Sequence, residues 1–290
     1  MIITNELSLP APFVSAATSD HVYKPRRYSV TELLRSPRET LLARRHDAEI
    51  KTDASDLVWS IFGTAVHKII QESESTDAQT QEVKLTAQAP NGYTISGIFD
   101  LYDKDSGTIT DWKTASIWKV VKKDYDDWYR QVAAYALLLR QNGEDPQRAE
   151  IVMMLKDFSL RKSQTDREYP AHPVQTVSWL LPRFEITKAG DRLIDAIATL
   201  AELEDTPDAQ LPLCSEESRW HTPDKWAVME HGKKRAVKLH DTEAAAQAHA
   251  ESKGTGFSVE YRPGEDNKCL RYCAAREFCE HYRVIKTKEG

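Results

Sequence analysis

The chain has 290 residues, 40% hydrophobic and 29% charged, a composition that suits a soluble globular protein and excludes a disordered or fibrous one. Its 39 Lys and Arg against 45 Asp and Glu leave a net charge of −6, so no overall positive field marks a polyanionic partner, although a local groove needs none. There is no run of 18 apolar residues, and residues 1–17 carry Glu6, Pro10 and Pro12 without a basic start; a cytoplasmic protein with no membrane partner is expected.

Residues 1–27 are rich in Pro, Ala and polar side chains without periodicity, and are read as an extended N-terminal arm. From Tyr28 onward order is expected. Ser29-Val30-Thr31-Glu32 has capping-box spacing, and Ser36-Pro37-Arg38-Glu39 repeats it with proline at the first helical position, predicting two short successive helices. A longer helix from about Asp56 places Val58, Ile61, Phe62, Val66, Ile69 and Ile70 on one stripe, expected to be buried, with His67 beside it.

Residues 83–89 and 93–102 read as strands around Asn91-Gly92, a strong hairpin signal, and 108–114 as a third strand. A helix is predicted over 124–141, a strand over 149–155, a polar loop over 159–173, a strand over 174–181 and a helix over about 187–204. This order predicts an α/β core over 28–204, with a central mixed sheet flanked by helices. Residues 205–224, with Cys214, read as a linker. Residues 225–262 read as a small β-β-α-β module turning at His231-Gly232, and 263–290 as a Cys-rich metal-binding segment.

The chemistry concentrates between Gly97 and Thr114. Asp100 and Asp111 fall on adjacent predicted strands, and alternation puts Asp111 and Lys113 on one face with Trp112 opposite. Two carboxylates suffice to hold Mg²⁺, which keeps several waters, and the Trp112 carbonyl supplies a further oxygen. Lys113 would then stand beside the metal-bound water and stabilise charge on a phosphate. Asp-x-Lys alone is too common to carry this reading.

Its context carries it. Gly63-Thr64-Ala65-Val66-His67, Gly97-Ile98-Phe99-Asp100, Asp111-Trp112-Lys113-Thr114 and Gln131-Val132-Ala133-Ala134-Tyr135 resemble, in order and spacing, the motifs of RecB-type nucleases of the PD-(D/E)XK superfamily, including the iron-sulfur nucleases of CRISPR adaptation. The resemblance spans roughly residues 28–155. It implies a restriction-endonuclease-like core, a Mg²⁺ or Mn²⁺ site held by His67, Asp100, Asp111 and the Trp112 carbonyl, and Lys113 as the catalytic lysine. Gln131 and Tyr135, one helical turn apart, would face the active centre. Glu82 reads equally well as a further metal ligand or as a surface glutamate. Tyr125, Trp128 and Tyr129 are read as helix core or as base-stacking platforms.

The four cysteines, Cys214, Cys269, Cys273 and Cys279, cluster late in the chain, and with no export signal their grouping reads as ligation rather than disulfides. Four thiolates can hold zinc or a [4Fe–4S] cluster, and the Cys-x-x-Cys knuckles that zinc prefers are absent. The Cys-x3-Cys-x5-Cys close resembles the C-terminal iron-sulfur signature of some RecB-type nucleases. In those relatives the lone cysteine precedes the nuclease core, whereas Cys214 follows it; His221 and His281 are alternative ligands for zinc. Five Lys or Arg against one acidic residue across 225–240 read as a phosphate contact or as a solvated basic face.

The expected function is a Mg²⁺- or Mn²⁺-dependent deoxyribonuclease, an end-processing exonuclease acting on linear DNA. Its setting would be phage or bacterial recombination or repair, in the host cytoplasm, with a recombination or replication partner protein. The alternatives are a non-cleaving DNA-binding adaptor of the same fold and an iron-sulfur redox sensor.

Overall fold

The structure is a computed structural model that describes residues 1–18 and 22–287 and divides into two compact units, Met1–Thr206 and Pro207–Gly290.

In the first unit the expected extended arm is instead folded. Strand β1 (Ile2–Thr4) pairs in parallel with β3 (Lys51–Asp53), and helix α1 (Ala11–Ala17) follows Pro10. The Asp53 carboxylate accounts for the docking, since its Oδ2 accepts from Thr4 Oγ1 at 3.0 Å and from the Glu6 backbone N–H at 2.8 Å. Residues 19–21 of that predicted arm lie outside the described residues.

Strand β2 (Arg27–Ser29) leads into α2 (Val30–Leu33) through the predicted capping box: Ser29 Oγ accepts the Glu32 N–H, and Glu32 Oε2 accepts the Ser29 N–H at 2.8 Å. Helix α3 (Pro37–Arg45) starts after Ser36 with its proline in the first turn, but the Ser36 side chain makes no cap bond. Helix α4 (Val58–Gln71) departs from expectation. Its apolar residues fall at helical spacing, yet none is buried, and Trp59, Phe62 and Ile69 are 56%, 43% and 67% exposed.

The six-stranded sheet contains β4 (Gln79–Gln88), β5 (Thr94–Asp103), β6 (Thr108–Ala115), β7 (Arg148–Leu155) and β8 (Val174–Leu180) besides β2. Asn91-Gly92 makes the β4–β5 turn, with Gly92 at φ +75°, a left-handed conformation cheap only for glycine. The order is β2-β5-β6-β7-β8, with β4 pairing on β5; β2 and β7 join in parallel, the rest antiparallel. The β5–β6 ladder stops at Leu101↔Thr110, and beyond it the two strands diverge. That opening is where the functional side chains lie.

A short helix not predicted from sequence, α5 (Ile117–Lys122), precedes α6 (Asp126–Gln141), the helix expected over 124–141. Lys123 in the left-handed conformation ends α5, and Asp157 caps its start by accepting the Ile117 N–H at 2.7 Å. A short α7 (Leu160–Thr165) lies within the predicted loop, and α8 (Arg183–Glu202) starts directly after Pro182. Helix α6 covers the sheet with α8 packed behind it, joining Val132, Leu138 and Leu139 to Phe99, Ile109, Ile151 and Met153 and to Leu193 and Ile197, all buried. Each such side chain contributes ~1.5–3 kcal/mol on burial.

In the second unit, α9 (Glu216–Arg219) and β9 (His221–Thr222) precede β10 (Lys225–Glu230), β11 (Lys238–His240), α10 (Glu243–Lys253) and β12 (Phe257–Arg262), the module read from sequence, with β11 shorter than predicted. Its sheet runs β11-β10-β12, and Val228, Ala246 and Ala250 form a small core with Trp226, Phe257 and Val259. Strand β13 (Glu265–Asp266) pairs with β9, followed by α11 (Asn267–Arg271) and α12 (Glu280–Lys286). Residues 288–290 of the Cys-rich segment lie outside the described residues. No helix among the described residues is long and apolar enough to cross a membrane.

Candidate active site

Strand register aligns three carboxylates. The pairs Gln81↔Leu101 and Val83↔Phe99 set Glu82 opposite Asp100, and Asp100 and Asp111 each stand one residue beyond the last β5–β6 pair, Leu101↔Thr110, where those strands part. Glu82 and Asp100, so opposed, share a face at ~4.5–5.5 Å between Cβ atoms, and like charges there repel. Glu82 also adopts φ +52°, a left-handed conformation that costs a non-glycine residue about 1–2 kcal/mol. Asp100 Oδ2 accepts the Trp112 N–H at 2.7 Å, filling the gap where β5 and β6 part.

Helix α4 brings His67 over this row. Gly63, one turn earlier, faces β6, where a Cβ would make an ordinary contact 3.5 Å from Thr114 Oγ1. His67 Nε2 lies 2.9 Å from the Trp112 carbonyl, to which it donates, while Nδ1 is 3.4 Å from Asp100 Oδ1 and 3.9 Å from Glu82 Oε1. Both ring nitrogens thus face acceptors, which favours the imidazolium. Hydrogen bonding to Asp100 outweighs burial and raises the His67 pKa. The proton on Nδ1 supplies positive charge where these carboxylates need a cation.

Asp111 is 2% exposed, and burial pushes its carboxyl up to about 6 against the opposing pull of Lys113. Lys113 Nζ lies 2.6 Å from Asp111 Oδ2, off the line of a well-directed hydrogen bond, so this enclosed oxygen has an ion-pair partner but no proper donor. Lys113 Nζ also donates to Gln131 Oε1 at 3.0 Å, and Gln131 Nε2 donates to Tyr135 Oη at 2.9 Å. An ammonium can only donate, so Gln131 must turn its oxygen to Lys113 and its amide to Tyr135. Burial raises the Tyr135 pKa and keeps its hydroxyl neutral. Burial, then the Asp100 charge, raises that of Glu82.

All six side chains read from sequence, His67, Asp100, Asp111, Lys113, Gln131 and Tyr135, converge here with the Trp112 carbonyl. Glu82, open in the sequence, joins them. The ligand atoms of His67, Glu82 and Asp100 lie within 4.8 Å of one another, a mixed nitrogen and oxygen set with an under-satisfied carboxylate alongside. These residues fit a divalent cation such as Mn²⁺ or Mg²⁺. Of the aromatic residues read from sequence, Tyr125 stacks on Trp128, and Tyr125 and Tyr129 meet Trp179 edge-on.

In the second unit Cys214, Cys269, Cys273 and Cys279 form no disulfide. Burial first, then Asp266 and the charges of Cys214, Cys273 and Cys279, push the Cys269 thiol up to about 12, so each of these groups lies within electrostatic reach of Cys269. Beside Cys269 the buried Asp266 accepts from His221 Nδ1 at 2.8 Å and His281 Nε2 at 2.6 Å, with Arg219 Nε at 3.3 Å. Sequence offered the two histidines only as zinc ligands and missed Asp266, whose role depends on the two-residue β9–β13 pairing.

A mixed sheet flanked by helices, with this row of acids and a lysine where two strands part, is a restriction-endonuclease-like fold. The chain belongs to the PD-(D/E)XK nuclease superfamily, whose sequence profile matches residues 71–280. Similar solved structures include the crystal structure of SSO0001, 17% identical with a TM-score of 0.46, covering 65% of this chain and 81% of that one. A phage-related exonuclease from Haemophilus somnus 129PT is 13% identical with a TM-score of 0.30, covering 60% of this chain and 80% of that one. LHK-Exo in complex with dAMP is 12% identical with a TM-score of 0.32, covering 60% of this chain and 92% of that one. No curated protein matches the sequence.

Proposed function

We propose that the protein is a Mn²⁺- or Mg²⁺-dependent deoxyribonuclease that processes DNA ends, in phage or bacterial recombination or repair. The observation that carries this reading is the alignment of Glu82, Asp100 and Asp111 on neighbouring strands, with His67 above and Lys113 beside them.

His67, Glu82, Asp100 and Asp111 are the proposed metal ligands, with the Trp112 carbonyl released from His67 as a further oxygen. When bound, a divalent cation lowers the pKa of a coordinated water and offsets charge growing on the phosphate. The chain's own groups do the rest. Asp100 and Asp111, fixed by the Trp112 N–H and by enclosure, need no rearrangement to present their oxygens. Lys113, held by Gln131, keeps an N–H free to meet a phosphate oxygen as its charge grows. Tyr135 locks Gln131 in the orientation that Lys113 requires.

The cysteines of the second unit are proposed to hold a [4Fe–4S] cluster, with zinc as the alternative, in a structural role that closes the chain between Cys214 and Cys279. End-processing is tested by offering the same DNA as linear duplex and as covalently closed circles. The reading predicts degradation of the linear form only, abolished in Lys113→Ala; cleavage of circles contradicts the exonuclease assignment, and equal activity of the variant contradicts the mechanism.

A further inference from the structure

The helix that carries His67 leaves an apolar face open beside the catalytic strand. At about 100° per residue, Val58, Ile69, Phe62, Val66, Trp59 and Ile70 cover a ~120° stripe that begins ~20° from the line of Gly63. No residue of this helix is buried.

Its contacts fix where the stripe lies. His67 meets the Trp112 carbonyl, Gly63 faces Thr114, and Trp59 lies under Lys156, whose backbone N–H is bonded to the Ala115 carbonyl. Helix α4 therefore runs antiparallel along the outgoing half of β6, and eight residues at 1.5 Å each put Trp59 about 12 Å from His67. Against a spacing of 3.4 Å per duplex nucleotide, that distance is three to four nucleotides, and fewer of an extended strand.

The composition also points to one occupant. Trp59 and Phe62 meet edge to face at 6.4 Å and 89°, an arrangement that cannot close both ring faces, and both rings stay about half exposed. The Lys156 ammonium is 4.2 Å from the Trp59 ring centroid. Half-exposed aromatic rings, one with a cation over a face, suit nucleobases on a phosphate backbone. In a duplex the base faces are already stacked, so this surface has most to offer an unpaired strand.

We propose that Trp59 and Phe62 stack the bases of an unpaired DNA strand leading into or out of the metal centre, with Lys156 contacting its backbone. This rests on the nuclease reading of the same site and specifies the form of DNA it engages. It is tested on the full chain without divalent cation, so that binding is measured apart from cleavage, using a labelled oligothymidylate and a blunt duplex in fluorescence anisotropy. Trp59→Ala is expected to weaken oligothymidylate binding about tenfold, Trp59→Phe to restore most of it, and duplex binding to change little. Phe62→Ala gives the same test should Trp59→Ala fail to fold. Unchanged oligothymidylate binding overturns the proposal, as does an equal loss for duplex. A variant that turns an oligomer into a monomer while leaving DNA binding intact assigns the face to a second copy of the chain. Trp59-dependent binding in a wild type that cleaves nothing would uphold the stacking surface and reject the nuclease reading.

Discussion

Asp100 Oδ2 accepts the Trp112 N–H at 2.7 Å, so the carboxylate of one motif is anchored by the backbone of the next. Asp100→Asn keeps an acceptor there, but it loses the charge and turns an amide NH2 toward His67 Nδ1. Its unfolding in denaturant should lie within about 1 kcal/mol of wild type, while Mn²⁺ affinity by calorimetry falls at least about tenfold. Asp100→Ala strands the N–H and should cost a further ~1–3 kcal/mol. Equal stability of the two variants would show that the bond matters little.

Asp111 and its pH dependence follow from burial. Burial holds the folded carboxyl up at about 6, above its ordinary value of 3.8, so between these pH values the unfolded chain binds fewer protons and stability falls as pH rises. Metal-free Asp111→Asn escapes this cost. It should match wild type near pH 4 and exceed it above pH 6 by on the order of 2–3 kcal/mol, a gap that Mn²⁺ closes for wild type alone. Thermal unfolding across this range checks it; a gap that narrows as pH rises would reverse the assignment.

Gly97 packs against the helix that holds Gln131 and Tyr135. A Cβ there would lie 2.8 Å from Leu138 Cδ1 and 3.0 Å from Tyr135 Cε1. Gly97→Ala should therefore destabilise by ~1–3 kcal/mol and displace Tyr135 from Gln131, lowering kcat more than it raises KM. Equilibrium unfolding with steady-state kinetics measures both effects.

Asp266 gathers His221, His281 and Arg219 around one buried carboxylate. Asp266→Ala leaves those donors without their acceptor and should cost ~3–5 kcal/mol. Anaerobically purified variant should also carry less iron, read as lost visible absorbance. Full iron content at unchanged thermal stability would contradict this.

How far the sequence revealed this molecule depended on range. The Ser29 capping box, the Asn91-Gly92 turn and the strand carrying Asp111 and Lys113 were legible because each is set by neighbours a few residues apart. The motif spacing likewise led to His67, Asp100, Asp111, Lys113, Gln131 and Tyr135. Glu82 was not decided, because its place opposite Asp100 depends on cross-strand register. The α4 stripe was visible as periodicity, but periodicity says that an apolar face exists and not that anything covers it. The folded N-terminal segment depended on Asp53, some fifty residues away, and Asp266 on a two-residue pairing too short to leave a pattern.

The central claim is most directly tested by the release of acid-soluble nucleotides from linear DNA, comparing wild type and Asp111→Ala with Mg²⁺ or Mn²⁺ and with chelator. Release by wild type only in the presence of the cation, and none by the variant, is the predicted result. Equal release by both proteins, or release that survives the chelator, would contradict it.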